Sequence, residues 1–297
     1  MPTLFRALFR FLSRCPLWWL HSMGFVLGWA SYALSPDYRR RFAANVLQAG
    51  VAPSAARPAI AEAGRMLMEL PYLWLRPANQ SIHPTIAWDG EALIDAAHAQ
   101  GRSVVLLTPH LGCFEITAQA YAERYGALHG PITVLFRPAR KAWLRALVDT
   151  ARNRPGLVAV PASLAGVRQL MRALRRGEAV GLLPDQVPPD GMGVWAPFFG
   201  RPAYTMTLAA RLAQQRGAVP LMIWGERLPR GRGYVVHLSA FDEALPEGTP
   251  GQAESAAAVN RAMERLIRQC PQQYLWGYHR YKHTDGLKNV DRAEQTD

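Results

Sequence analysis

The sequence predicts an α/β protein with a mixed, largely parallel central sheet flanked by helices and a membrane-associated helix at its N-terminus. Three observations predict it. Short runs rich in β-branched and apolar residues recur between residues 103 and 238. Helical stretches lie between several of them, and residues 15–36 carry no Asp, Glu, Lys or Arg. Strands alternating with helices indicate an α/β sandwich. A chain of 297 residues, 49% hydrophobic and 19% charged, folds around a substantial core and is neither disordered nor collagen-like.

At the N-terminus, Arg6, Arg10 and Arg14 recur every four residues among Leu4, Phe5, Leu8, Phe9, Phe11 and Leu12, giving a basic stripe on an apolar helix. The uncharged run that follows, CPLWWLHSMGFVLGWASYALSP, approaches the length needed to cross hydrocarbon. A cleaved signal peptide is the alternative. The run is long, contains Trp and Tyr, and precedes Arg39, Arg40 and Arg41 instead of a small-residue cleavage site, which favours a retained anchor over residues 1–36. Basic clusters on both sides give no clear orientation, so a span and a helix lying in the interface both stand. Gly24 and Gly28 form GxxxG, read here as the ordinary glycine content of an apolar helix.

Residues 37–100 pattern as amphipathic helices, broken by loops at VAPSAARP and RPANQSIHP. Strands are expected at 103–108, 132–136, 157–161, 179–184, 218–224 and 234–238, with helices at 141–151, 163–176, 204–216 and 253–269. Residues 37–297 thus form the main domain.

The chemistry concentrates after the first of these strands. Thr108-Pro109-His110-Leu111-Gly112-Cys113-Phe114-Glu115 places a histidine and a glutamate just past a strand end, where α/β proteins build sites. Five helical residues turn through about 140°, so the two side chains converge only if His110 lies in the turn and Glu115 in the first helical turn. In that arrangement Glu115 accepts from one imidazole nitrogen while the other takes a proton from a hydroxyl. Gly112 would open backbone N–H groups to an oxyanion.

Arg137, Arg152 and Arg154 are candidates for anion binding, because guanidinium groups offer paired donors, whereas Arg140 and Arg145 read as solvated surface. Asp185 and Gln186, ending an apolar strand, either order a substrate, pair with an arginine or close a turn. In VWAPFFGRPAYT, Phe198 and Phe199 are core or an acyl-chain wall, a turn follows from Gly200 to Pro202, and Thr205 is placed to cap the next helix.

Taken in order, these motifs resemble the lipid A late acyltransferases of the lysophospholipid acyltransferase group. The matching features are the H-x4-E pair at His110 and Glu115, FRP at 136–138, Arg152 and Arg154, LPDQ at 183–186, APFFG at 196–200, Thr205 and the closing PQQYLWGYHRYK at 271–282. Gly277-Tyr278 and Pro155 depart from the family's usual pattern.

The resemblance implies an acyl carrier protein donor, a phosphorylated glycolipid acceptor related to lipid A, and work at the cytoplasmic face of a bacterial inner membrane. His110 and Glu115 would be catalytic; Arg137, Arg152, Asp185, Gln186, Phe198, Phe199, Gly200 and Thr205 would support the site. No metal or other cofactor is implied. A formal charge of +12 suits an acidic donor protein, a phosphorylated acceptor and anionic membrane lipids. The competing readings are a sister enzyme acylating another glycolipid or an amino-acid lipid from acyl-CoA or acyl carrier protein, and a non-catalytic membrane-binding protein. No nucleic-acid motif is present. Cys15, Cys113 and Cys270 show no CxxC spacing and suggest neither a disulfide framework nor a zinc site.

Overall fold

A computed structural model describes residues 2–77, 80–82, 86–136, 154–246 and 251–282. The strands are β1 (Ile86–Asp89), β2 (Ser103–Leu107), β3 (Ile132–Phe136), β4 (Leu157–Pro161), β5 (Ala179–Leu182), β6 (Gly193–Phe198), β7 (Arg201–Met206), β8 (Ala218–Arg227) and β9 (Tyr234–Ala240). The helices are α1 (Pro2–Leu12), α2 (Leu17–Leu34), α3 (Pro36–Gln48), α4 (Pro53–Ala56), α5 (Ala59–Leu75), α6 (Ala92–Ala99), α7 (Phe114–His129), α8 (Leu164–Arg175), α9 (Leu208–Ala213) and α10 (Gln252–Gln269).

Seven strands form one sheet in the order β1-β9-β8-β2-β5-β3-β4. Every neighbouring pair is parallel except β8 and β9. All five residues of β2 and all four of β5 are buried, as befits central strands covered on both faces, which read as continuous apolar runs. The strands expected at 103–108, 132–136, 157–161, 179–184, 218–224 and 234–238 are therefore β2, β3, β4, β5, β8 and β9. The helix expected at 141–151 lies outside the described residues.

The segment expected to begin a helix at residue 204 is instead half of a β-hairpin. β6 and β7 pair antiparallel, with Phe198 opposite Arg201. The turn is Phe199-Gly200, with φ of 47° and 75°, not Gly200 to Pro202. Positive φ at both central residues is the two-residue turn that matches strand twist. Gln48 donates to the Phe199 carbonyl at 2.7 Å and Phe199 N–H donates to Glu264 at 2.7 Å, fastening the turn to α3 and α10. Thr205 is consequently a strand residue opposite Val194, and α9 starts after it, at Leu208.

The GxxxG of α2 has a structural use that its reading as ordinary glycine content missed. α2 packs on α5, and a Cβ at Gly24 would come within 2.5 Å of the Arg65 Cα, one at Gly28 within 2.2 Å of the Ile60 carbonyl oxygen. Gly64 on α5 faces them, where a Cβ would lie 2.0 Å from the Gly24 carbonyl oxygen. Small residues here let two backbones approach each other within the molecule, as they do between membrane helices. Buried polar contacts add to this seam: Glu69 of α5 is hydrogen-bonded to His21 of α2 at 3.3 Å, and Arg227 of β8 forms ion pairs with both Glu62, at 2.6 Å, and Glu69.

The other side of α2 is bare, with Trp18, Phe25, Val26 and Leu34 exposed beside Phe11 of α1. Among the described residues no helix is long and apolar enough to cross a membrane.

Candidate active site

The site follows from the register of two neighbouring strands. β2 and β5 run parallel with Leu107 opposite Leu182, and the Thr108 N–H extends the ladder to the Leu182 carbonyl at 3.1 Å. Their loops therefore leave the sheet side by side. His110 stands three residues beyond Leu107 and Asp185 three beyond Leu182, so equal path lengths bring them together at the carboxyl ends of the strands.

Asp185 accepts from His110 twice. The ring Nδ1 lies 2.7 Å from Oδ1, and the His110 backbone N–H donates to Oδ2 at 2.9 Å. The Tyr274 hydroxyl also reaches Oδ2, at 3.4 Å. Burial pushes the Asp185 carboxyl up, but the His110 imidazole, its two hydrogen bonds and the Arg280 guanidinium outweigh burial and hold it below its ordinary value. A carboxylate on Nδ1 fixes that nitrogen as the donor and leaves Nε2 to accept a proton.

The carboxylate paired with His110 is therefore Asp185, whereas sequence spacing assigned that part to Glu115. Glu115 is in the first turn of α7, as expected, but accepts from the Trp74 indole N–H at 3.3 Å. It does share a cavity with His110. This cavity, about 390 Å³, is walled by side chains of β2, β3, β5 and β8 and by Gln186 and Val167, and most of its lining is apolar. Ligand sites of this size typically combine such walls with a few convergent polar groups.

Gly112 also departs from expectation. Its N–H donates to the Gln273 carbonyl at 3.0 Å and its own carbonyl accepts from Arg227 at 3.1 Å, so this N–H is not open to an oxyanion. Its φ of +58° and the Gly225 carbonyl oxygen, 2.0 Å from where a Cβ would lie, restrict the position to glycine.

Of the other candidates, Arg137 and Arg152 lie outside the described residues. Arg154 donates to the Leu73, Trp74 and Arg76 carbonyls and so closes the C-terminal end of α5. Phe198 and Phe199 pack in the core with Tyr281 and Trp276, and neither they nor Gly200 line the cavity. Thr205, fully buried, receives hydrogen bonds from Asn260 at 3.0 Å and Arg280 at 2.7 Å and caps no helix.

Sequence reasoning gave no role to the closing segment, yet it braces the site. Tyr274 touches Asp185, the Tyr278 hydroxyl accepts from the Val187 N–H at 3.1 Å, and the Leu275 N–H donates to the His110 carbonyl at 3.2 Å. Its signal was present in the density of hydrogen-bonding aromatics in QYLWGYHRY. Among the described residues no group of three or more His, Cys, Asp or Glu is arranged to hold a metal ion.

A histidine hydrogen-bonded to a buried carboxylate, opening on an apolar cavity, suits the transfer of a group with a long apolar tail. The sequence model of the bacterial lipid A biosynthesis acyltransferases matches residues 8–283. The chain belongs to this family. It is an acyltransferase. Among its relatives is the lipid A biosynthesis lauroyltransferase of Escherichia coli (strain K12), 27% identical over 226 residues, which cover 74% of this chain and 69% of the relative. The lipid A biosynthesis palmitoleoyltransferase of the same organism is 25% identical over 220 residues, 74% of this chain and 68% of its own. A lipid A biosynthesis acyltransferase of Haemophilus influenzae (strain ATCC 51907 / DSM 11121 / KW20 / Rd) is 24% identical over 186 residues, 62% and 55% respectively.

Proposed function

We propose that this acyltransferase moves a fatty acyl group from the thioester of acyl carrier protein to a hydroxyl of a lipid A precursor, a secondary acylation. The observation that carries the reading is the His110–Asp185 pair beside an apolar cavity that also receives Glu115. The acceptor hydroxyl gives its proton to Nε2 of His110 as its oxygen bonds to the thioester carbonyl carbon. The tetrahedral intermediate then breaks the carbon–sulfur bond, and the imidazolium returns the proton to the departing thiolate.

Asp185 holds the imidazole in the productive tautomer and stabilises its charged form. Glu115, fixed by Trp74, orients the acceptor hydroxyl, and the cavity takes the acyl tail. The exposed apolar side of α2, with Arg10 and Arg14 nearby, rests in the cytoplasmic face of the inner membrane, where the acceptor is drawn from the lipid layer.

The test is transfer of a labelled acyl chain from acyl carrier protein to a tetra-acylated lipid A precursor by the purified protein in detergent. A product heavier by one acyl group is expected. An enzyme that acylates another lipid hydroxyl and leaves this precursor untouched contradicts the assignment.

A further inference from the structure

α8 carries a face that the proposed chemistry does not use. Arg168, Arg172 and Arg175 are exposed and have no carboxylate partner among the described residues, and the helix contains no Asp or Glu. On other helices several exposed arginines are paired, Arg40 with Asp37, Arg124 with Glu91, and Arg261 and Arg265 with Glu243, and those that are not, such as Arg211 and Arg268, do not line a groove with other arginines as Arg168 and Arg172 do. Complementing the helix dipole accounts for Arg172 and Arg175 in the last turn, but Arg168, in the N-terminal half, gains nothing from that dipole.

The face is also concave. Arg168 and Arg172, with Arg176 just beyond the helix and itself paired with Glu178 at 2.7 Å, line a groove of about 400 Å³ with Thr133 of β3 and Val158 of β4. The four-residue spacing puts Arg168 and Arg172 on one side of the helix.

We propose that this arginine face of α8 is where the acidic acyl carrier protein docks. The inference rests on the donor reading given above. Two features select a protein that delivers an acyl chain over a lipid surface. The same helix walls the cavity: Val167 and the N-cap Ser163 line it, and Val167 adjoins Arg168 in sequence, so a partner seated on α8 holds its acyl thioester beside the cavity. The bare apolar side of α2 belongs elsewhere: α2 packs on α5 and against Gly231, in the turn after β8, and in the sheet β2 and β5 separate β8 from β3 and β4. Leu164, exposed at the head of α8, gives the interface an apolar anchor within its charged field. A single-sign patch of this kind steers an oppositely charged partner and loses its effect as salt rises.

The experiment compares the double variant Arg168→Glu/Arg172→Glu with the wild type and with Arg211→Glu, an exposed arginine on α9, using two donors. One is acyl carrier protein carrying the acyl chain; the other is the same chain on pantetheine, which has no protein surface to dock. For the double variant, KM for the carrier-bound donor should rise at least tenfold with kcat within twofold. Its kinetics with acyl-pantetheine should match the wild type, and the salt dependence of its carrier KM should flatten. Arg211→Glu should resemble the wild type with both donors.

An unchanged carrier KM in the double variant overturns the docking surface while leaving the donor reading intact. Equal losses with both donors, or a loss of binding to anionic vesicles with carrier kinetics unchanged, also overturn it. A wild-type enzyme that uses acyl-pantetheine but not the carrier overturns the donor reading and this inference together.

Discussion

Replacing Asp185 by Asn separates the two carboxylates near His110. The native carboxylate accepts from both the ring Nδ1 and the backbone N–H of His110, at 2.7 and 2.9 Å. An amide of the same shape has one acceptor and one donor. If its oxygen keeps the backbone N–H, its NH₂ faces Nδ1, which must then accept, and the proton moves to Nε2, where it blocks the base. The substitution also removes the negative charge that stabilises the imidazolium. Tautomer reversal of this kind costs about 10⁴ in turnover in a serine protease, and general base catalysis as a whole contributes about 10² to 10⁴. Turnover of Asp185→Asn is therefore expected to fall by about 10² to 10⁴, with KM for the donor changed much less because Asp185 does not line the cavity. Glu115→Gln should be impaired less than Asp185→Asn, since Glu115 accepts from the Trp74 indole, whereas Asp185 holds the imidazole. The assay is single-turnover acyl transfer, with near-ultraviolet circular dichroism to show that each variant keeps its tertiary packing. Asp185→Asn turning over within threefold of wild type, while Glu115→Gln loses more than a hundredfold, would refute the reasoning and make Glu115 the working partner of His110.

Three further outcomes follow from the packing and the charges. A Cβ at Gly181 would lie 3.1 Å from Val134 Cγ1 and 3.4 Å from Ile132 Cδ1 on the cavity wall. Gly181→Val should shift the donor profile to shorter chains, by about fourfold in kcat/KM for each displaced methylene at ~0.8 kcal/mol; an unaltered chain-length profile means that the tail lies elsewhere. Trp18, Phe25 and Val26 are 56, 45 and 65% exposed. With each roughly half available for burial in lipid, changing all three to Ser should remove ~3 kcal/mol and lower vesicle partitioning about a hundredfold in sedimentation, whereas unchanged partitioning removes α2 from the membrane contact. His98 is hydrogen-bonded to the Tyr121 hydroxyl, and burial, followed by the neighbouring His129, pushes its pKa from 6.5 down to about 4. Because the unfolded chain takes up this proton first, the neutral His98 contributes stability that is complete above about pH 6.5 and lost as the pH falls toward 4. Thermal melts of His98→Gln should therefore depend less on pH than wild type across that window, and superimposable pH dependences would exclude His98 as the cause.

Much of the fold was legible because its central strands are local signals. Runs such as SVVLL and ITVLF are short, apolar and bounded by turn residues, and they became β2 and β3. β1 escaped notice because IAWD has four residues of alternating burial. The β6–β7 hairpin was hidden by Pro197 and Pro202, which argue against strands in isolation but here face each other across the pair.

The site divides the same way. His110 was legible from its place after a strand. Its partner was not, because Asp185 is 75 residues away and reaches His110 only through the register of β2 with β5, which no local spacing encodes. Nor could an uncharged run reveal that Gly24 and Gly28 meet Gly64 and that α2 rests on α5 inside the molecule.

The most direct test of the central claim is the mass of lipid A from cells lacking the gene, complemented with either the wild-type gene or His110→Ala. Loss of His110 removes the base, so the account predicts that only the wild-type gene restores one secondary acyl chain, with both proteins present in equal amounts. Equal restoration by His110→Ala would contradict it.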